Sequence, residues 1–215
     1  MHYEQNKPDI KNNLIYSLES SRHRKSILSF IRENIIEVSN ILLVKANINI
    51  STFCEDDISR EITNLLNDKL RELSGYLFRF EAKSGPDILI FASPYIAFSE
   101  PLFFIEAKRL PPTSSRDYVN SGIGRFKNKE HGKKQDIAAM LGYVQKEDFD
   151  YWYDKVNSWI DDLIANPNDF IGWSEQDKIT IIQVSELGEY KSTHSRIKIN
   201  PITLYHFWIN LCNKQ

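Results

Sequence analysis

Two acids and a lysine stand at the margins of apolar runs. Pro86-Asp87 opens Ile88-Leu89-Ile90-Phe91, and Glu106-Ala107-Lys108 closes Leu102-Phe103-Phe104-Ile105. Unpaired charge is costly to bury, so groups placed this way need a counter-charge, a metal ion or a chemical task. The link between the two runs is short for a parallel crossover, which predicts an antiparallel pair. If Phe91 faces Leu102, then Asp87 faces Glu106, and Lys108 shares the face of Glu106. Two carboxylates held that close repel unless something positive lies between them. Lys108 supplies part of that charge, and a hard divalent cation such as Mg²⁺ or Mn²⁺ suits the remaining oxygen ligands. Such a site can bind a phosphoryl oxygen and activate water. With Lys108 orienting or deprotonating that water, the chemistry would be phosphodiester hydrolysis. The competing reading is a surface salt bridge among the same three residues.

The elements that must position these residues follow from periodicity. Ile27, Phe30, Ile31, Ile35, Val38 and Leu42 predict a helix over 20–46. Ile58, Ile62, Leu65, Leu66, Leu70 and Leu73 predict a second over about 57–73, capped by Asp56 or Asp57 and ended by Gly75. Tyr76 to Glu81 alternates as a strand, and Ile88 to Phe91 and Leu102 to Ile105 are continuous apolar strands covered on both faces. A loop runs from Pro111 to about Lys129. Helices are expected over about 133–145 and 147–165, then strands over Lys178 to Val184 and Ile202 to Trp208, with Tyr190 to Arg196 a polar turn or strand rim. The order α–α–β–β–β–α–α–β–β predicts an α/β fold, a mixed sheet flanked by helices.

The chain of 215 residues, 41% hydrophobic, suits one domain with a substantial core. Two cysteines form no disulfide framework, and no apolar run approaches the roughly 18 residues needed to span a bilayer. The N-terminus has no secretory hydrophobic region. A soluble, cytoplasmic protein without a membrane partner is expected. The net charge of −2 conceals an asymmetry: residues 108–134 carry eight Lys or Arg against two acids, whereas 146–189 carry three Lys against eleven acids. The basic segment adjoins the Glu106–Lys108 strand and would draw a polyanion there.

The sequence Pro86-Asp87, apolar strand, Glu106-Ala107-Lys108 resembles the PD-(D/E)xK nuclease superfamily, which includes type II restriction endonucleases, Holliday-junction resolvases and phage-defence nucleases. The resemblance implies a restriction endonuclease-like αβββαβ core over 55–184, an N-terminal helical extension over 1–50 and C-terminal strand additions over 185–215. It implies Asp87, Glu106 and the Ala107 carbonyl as metal ligands, Lys108 as the residue that positions water, and an acid from the preceding helix, for which Glu61 is the candidate. Mg²⁺ would be the cofactor, with Mn²⁺ able to replace it. The implied substrate is nucleic acid, DNA before RNA, in restriction or antiviral defence, with a homodimer or partner subunit. Arg125, Lys133 and Lys134 would contact it, the two lysines at a helix start where free N–H groups favour phosphate. The alternative is a nuclease-fold module that binds nucleic acid or protein without cutting.

Overall fold

A computed structural model describes residues 10–45, 54–70, 76–81, 85–92, 100–110, 116–166 and 169–212. The chain forms an α/β fold: one seven-stranded mixed sheet with helices on both faces. Helices α1 (Ile10–Lys45) and α2 (Glu55–Leu70) precede strands β1 (Tyr76–Phe80), β2 (Ile88–Ala92) and β3 (Phe103–Leu110). A π-type turn (Tyr118–Ile123) runs into the short helix α3 (Gly124–Lys127), which leads to β4 (Ile137–Val144). Then come α4 (Phe149–Ile164), a 3₁₀ turn (Glu175–Asp177), β5 (Thr180–Val184), β6 (Leu187–Arg196) and β7 (Ile199–Asn210).

The spatial order is β1-β2-β3-β4-β7-β6-β5. The first three strands form an antiparallel meander; β3, β4 and β7 are mutually parallel; β6 and β5 return antiparallel. The crossover from β3 to β4 is the helical stretch 118–127, as a parallel connection requires.

Helices α2 and α4 read from their sequences. Glu55, Asp56 and Asp57 occupy the first turn of α2 and Lys69 the last, both favourable to the helix dipole. Its buried stripe is Ile58, Ile62, Leu65, Leu66 and Leu70. Helix α4 starts at Asp148, whose side chain accepts the Tyr151 N–H at 2.8 Å, and buries Trp152, Val156, Trp159 and Ile160. Helices α1 and α2 cover one sheet face, with Ile105, Ala107, Leu141 and Phe207. The π turn, α3 and α4 cover the other, with Leu110, Met140, Tyr190 and Trp208.

Three expectations need correction. Residues 137–144 form a central strand, not part of a helix over 133–145. Ile137, Met140, Leu141 and Val144 satisfy a helical stripe, but Ile-Ala-Ala-Met-Leu-Gly-Tyr-Val is also an unbroken apolar run, and a strand between two parallel neighbours has no polar face. Strand β4 lies between β3 and β7, and the strand expected over 178–184 is β5, at the far edge of the sheet. Residues 190–196 belong to a full strand, β6, and the loop expected over 111–129 contains a helical turn and α3. Among the described residues, no helix is long and apolar enough to cross a membrane.

Candidate functional site

The β2–β3 register is Ile88↔Ile105, Leu89↔Phe104 and Ile90↔Phe103, the register that sets Phe91 against Leu102 and Asp87 against Glu106. Beyond that point β3 continues beside β4 alone. Its N–H groups at Ala107 and Arg109 then lack a strand partner on the β2 side. Carboxylates replace the missing strand: Asp87 Oδ2 accepts Ala107 N–H at 2.7 Å, and Glu55 Oε2 accepts Arg109 N–H at 2.9 Å. This notch, where β3 outruns β2, is the candidate site.

Lys108 fills the notch. Its ammonium lies 2.8 Å from Glu55 Oε1, 2.9 Å from Glu106 Oε1 and 3.6 Å from Asp87 Oδ2, and it donates to its neighbour's carbonyl, Ala107 O, at 2.7 Å. The lysine side chain is 8% exposed and Glu106 is fully buried. A second cation, Arg125 Nη1, stands 3.2 Å from Glu106 Oε1 and is 40% exposed, so it faces outward from the same carboxylate. The other Glu106 oxygen is 3.3 Å from His131 Nε2. That contact is within ion-pair range but outside hydrogen-bonding geometry, and Glu106 Oε2 and both His131 ring nitrogens have no hydrogen-bond partner.

Burial and charge set the protonation. Burial, reinforced by the Glu106 charge, pushes the Asp87 carboxyl up to about 6, against the opposing pull of Lys108. Burial would raise Glu106 too, but the His131 and Lys108 contacts hold it below the usual carboxylate range. Burial alone would lower Lys108; the charges of Glu106, Asp87 and Glu55 outweigh it and raise the lysine above its ordinary value. Lys108 therefore stays an ammonium, suited to holding or orienting a ligand rather than removing a proton. Asp87 is the group able to exchange a proton near neutrality.

Asp87, Glu106, Ala107, Lys108 and Arg125 thus come together. The helical acid at the notch is Glu55, the first residue of α2. Glu61 lies six residues on, roughly 9 Å along the axis and about 240° around it. Lys133 and Lys134 stand exposed in a turn before β4, not at a helix start, and Lys134 pairs with Glu100 at 2.5 Å. The same turn carries His131 inward. Its Gly132 has φ +59, and a Cβ there would lie 3.2 Å from the Phe126 ring, so glycine is needed. Arg196, buried on β6, donates to Gly132 O at 2.8 Å and Gln135 O at 2.7 Å and fixes the turn. Glu55 and His131 were missed from sequence. An acid at a helix start reads as a dipole partner, and nothing near His131 marks it as a neighbour of Glu106.

A second charged cluster lies on the same sheet face. Lys127 Nζ pairs with Asp177 at 2.9 Å, and Asp177 Oδ1 lies 2.7 Å from His194 Nδ1. Contacts continue from His194 Nε2 to Ser192 Oγ (2.6 Å), Ser192 Oγ to His206 Nε2 (2.8 Å), His206 Nδ1 to Tyr118 OH (2.8 Å) and Tyr118 OH to Trp208 Nε1 (2.8 Å). One proton assignment satisfies every member. The indole donates to Tyr118, Tyr118 to His206 Nδ1, His206 Nε2–H to Ser192, Ser192 to His194 Nε2, and His194 Nδ1–H to Asp177. Both histidines are then neutral, in keeping with burial pushing both below the ordinary histidine range.

Among the described residues, no group of three or more His, Cys, Asp or Glu forms a metal-binding arrangement. The notch nonetheless offers hard oxygen donors of the kind Mg²⁺ takes, converging on one point that Lys108's ammonium holds, and one buried Glu106 oxygen without a hydrogen bond. No family model, curated protein or solved structure matches the chain.

Proposed function

We propose that the chain is a Mg²⁺-dependent nuclease of the PD-(D/E)xK type, acting on DNA in restriction or defence against foreign DNA. The observation that carries this reading is the convergence of Asp87, Glu106, Ala107 O and Glu55 on the Lys108 ammonium, at the point where β3 outruns β2. The order α2-β1-β2-β3-α3-β4, with β4 parallel to β3, is an αβββαβ order and supports it, with 124–127 as its last helix and 137–144 as its last strand in place of the segments expected from sequence.

Asp87, Glu106, the Ala107 carbonyl and Glu55 would hold the cation, which supplies charge for the phosphoryl oxygen and lowers the pKa of water. Lys108, kept protonated, would orient the attacking water or stabilise the anionic phosphorus centre. Arg125, half outside the notch, can turn from Glu106 to a phosphate, and guanidinium suits phosphate in a bidentate fashion. The second reading, a module that binds without cutting, rests on Lys108 already balancing the acids.

Cleavage of supercoiled plasmid and single-stranded oligonucleotide should appear with Mg²⁺ or Mn²⁺ and vanish with EDTA. Asp87→Ala and Lys108→Ala should each lower the rate by about a hundredfold or more. Wild-type protein that binds both substrates and cuts neither would leave the binding-module reading.

A further inference from the structure

We infer that Lys108 is a built-in occupant of the cation site, so that a divalent metal can enter only by expelling its ammonium. The inference rests on the nuclease reading and concerns the regulation of the same notch. Four oxygens from four residues surround Lys108 Nζ at 2.7–3.6 Å: Ala107 O, Glu55 Oε1, Glu106 Oε1 and Asp87 Oδ2. Mg²⁺ binds oxygen at roughly 2.1 Å and Mn²⁺ takes the same kind of donor, so neither can share that centre with a nitrogen. The two cations are alternatives.

Local packing keeps the ammonium in. The side chain is 8% exposed, and Gly122 sits over its stem, where a Cβ would lie 3.4 Å from Lys108 Cγ. Charge leaves room for exchange. Glu55, Asp87 and Glu106 bring three negative charges against Lys108 and Arg125, and Glu106 Oε2, fully buried, has no hydrogen-bond donor. Lysine is a flexible stem bearing one point charge. Its displacement needs only side-chain rotation, which would carry the ammonium toward the Arg125 side of the notch, where a phosphate would meet both. In this scheme metal entry and substrate arrival favour each other. The metal releases a cation that the phosphate can use, and the phosphate gives the released cation a partner.

The test is metal binding without nucleic acid, by titration calorimetry with MnCl₂. Lys108→Met keeps the stem and removes the charge. It should bind Mn²⁺ about tenfold or more tightly than the wild type, because a competing cation is gone. Asp87→Asn in the same background should abolish the gain. Wild type binding Mn²⁺ as tightly as Lys108→Met, or more tightly, overturns the displacement and leaves the nuclease reading standing. Absence of Mn²⁺ binding in both proteins overturns the cation site itself and the nuclease reading with it. If Lys108→Met does not fold, the wild type serves. The Lys108 amine should resist an acylating reagent in metal-free buffer and become labelled at saturating Mn²⁺. Unchanged protection while calorimetry shows Mn²⁺ bound overturns the inference.

Discussion

Two lysines are buried on the same face of one sheet, and their surroundings differ in a way that separates function from architecture. Lys127 meets one carboxylate, Asp177, and beyond it a chain of neutral donors and acceptors runs through His194, Ser192, His206 and Tyr118 to Trp208. Charges cancel, and every polar side-chain atom along that path has a partner. Lys108 meets three carboxylates, draws in Arg125, and leaves Glu106 Oε2 and both nitrogens of His131 without a hydrogen bond, the carboxylate oxygen and His131 Nε2 meeting only as an ion-pair contact at 3.3 Å. A closed buried network is specific and rigid; an open one is costly and persists where something else completes it. The Lys127 cluster therefore holds the crossover α3 against β6, and the Lys108 cluster is poised for a ligand.

The largest expected contrast is between the two aspartates. Asp177→Asn leaves the Lys127 ammonium buried, 1% exposed, without its counter-charge, and should cost about 3–5 kcal/mol. Asp87→Asn should do the reverse. Displacement of its carboxyl from 3.8 to about 6 means that folding holds up to about 3 kcal/mol against the ionised form. The amide oxygen can still accept Ala107 N–H. In metal-free buffer above neutrality, Asp87→Asn should thus be as stable as the wild type or more so, while losing cleavage. Urea denaturation of both variants measures the contrast. A loss at Asp87→Asn comparable to that at Asp177→Asn would erase the distinction between the two clusters.

The two clusters were also unequally legible. Asp87, Glu106 and Lys108 could be brought together from sequence because an antiparallel pair ties their registers to chain parity, and Phe91 against Leu102 decided the rest. Arg125 could be placed near them because it lies on the crossover that follows. Glu55 could not, since its role depends on β3 outrunning β2 and exposing Arg109 N–H. The second cluster was invisible for a stronger reason. Tyr118 and His206, or Lys127 and Asp177, meet only through strand order, and the apolar spacing of 137–144 fits a helix as well as the strand it forms. Once β4 is a strand, Met140↔His206 and Tyr190↔His206 define the row in which the histidine sits. Buried Glu189, Ser192, His194 and Arg196 gave β6 a polar appearance, which hid a central strand.

Two glycines sharpen the comparison at smaller cost. A Cβ on Gly122 would come 2.5 Å from Met140 Cε, the free end of a flexible chain, beside Lys108. A Cβ on Gly142 would come 2.3 Å from Cδ1 of the Trp208 ring, whose indole N–H is held by Tyr118. Methionine can turn aside, whereas the ring cannot move without opening the second network. Gly142→Ala should destabilise by about 1–3 kcal/mol and Gly122→Ala by less. Gly122→Ala should instead slow cleavage, because the added methyl would also lie 3.4 Å from Lys108 Cγ and press on the stem of that lysine. Equal thermal shifts for the two variants would show that rigidity does not divide the clusters.

The smallest effect is a slope. His194 and His206 are held below their ordinary range by burial, so the unfolded chain takes up protons near pH 6.5 that the folded one refuses. Stability contributed by these neutral histidines is present above that pH and lost as pH falls. Asp87 works in the opposite sense. Raised to about 6, it binds a proton in the folded state before the unfolded chain does, so its term favours folding at low pH and is lost as pH rises from about 4 through 6. In that window the single aspartate offsets part of the two histidines. Removing it with Asp87→Asn should steepen the acid-side loss of stability by about one proton, or roughly 1.4 kcal/mol per pH unit at most. Urea titrations at several pH values in EDTA buffer give the slope directly. An unchanged slope would mean that Asp87 titrates alike in the folded and unfolded chains, and the strained carboxylate that sets the Lys108 notch apart from the closed Lys127 network would be lost.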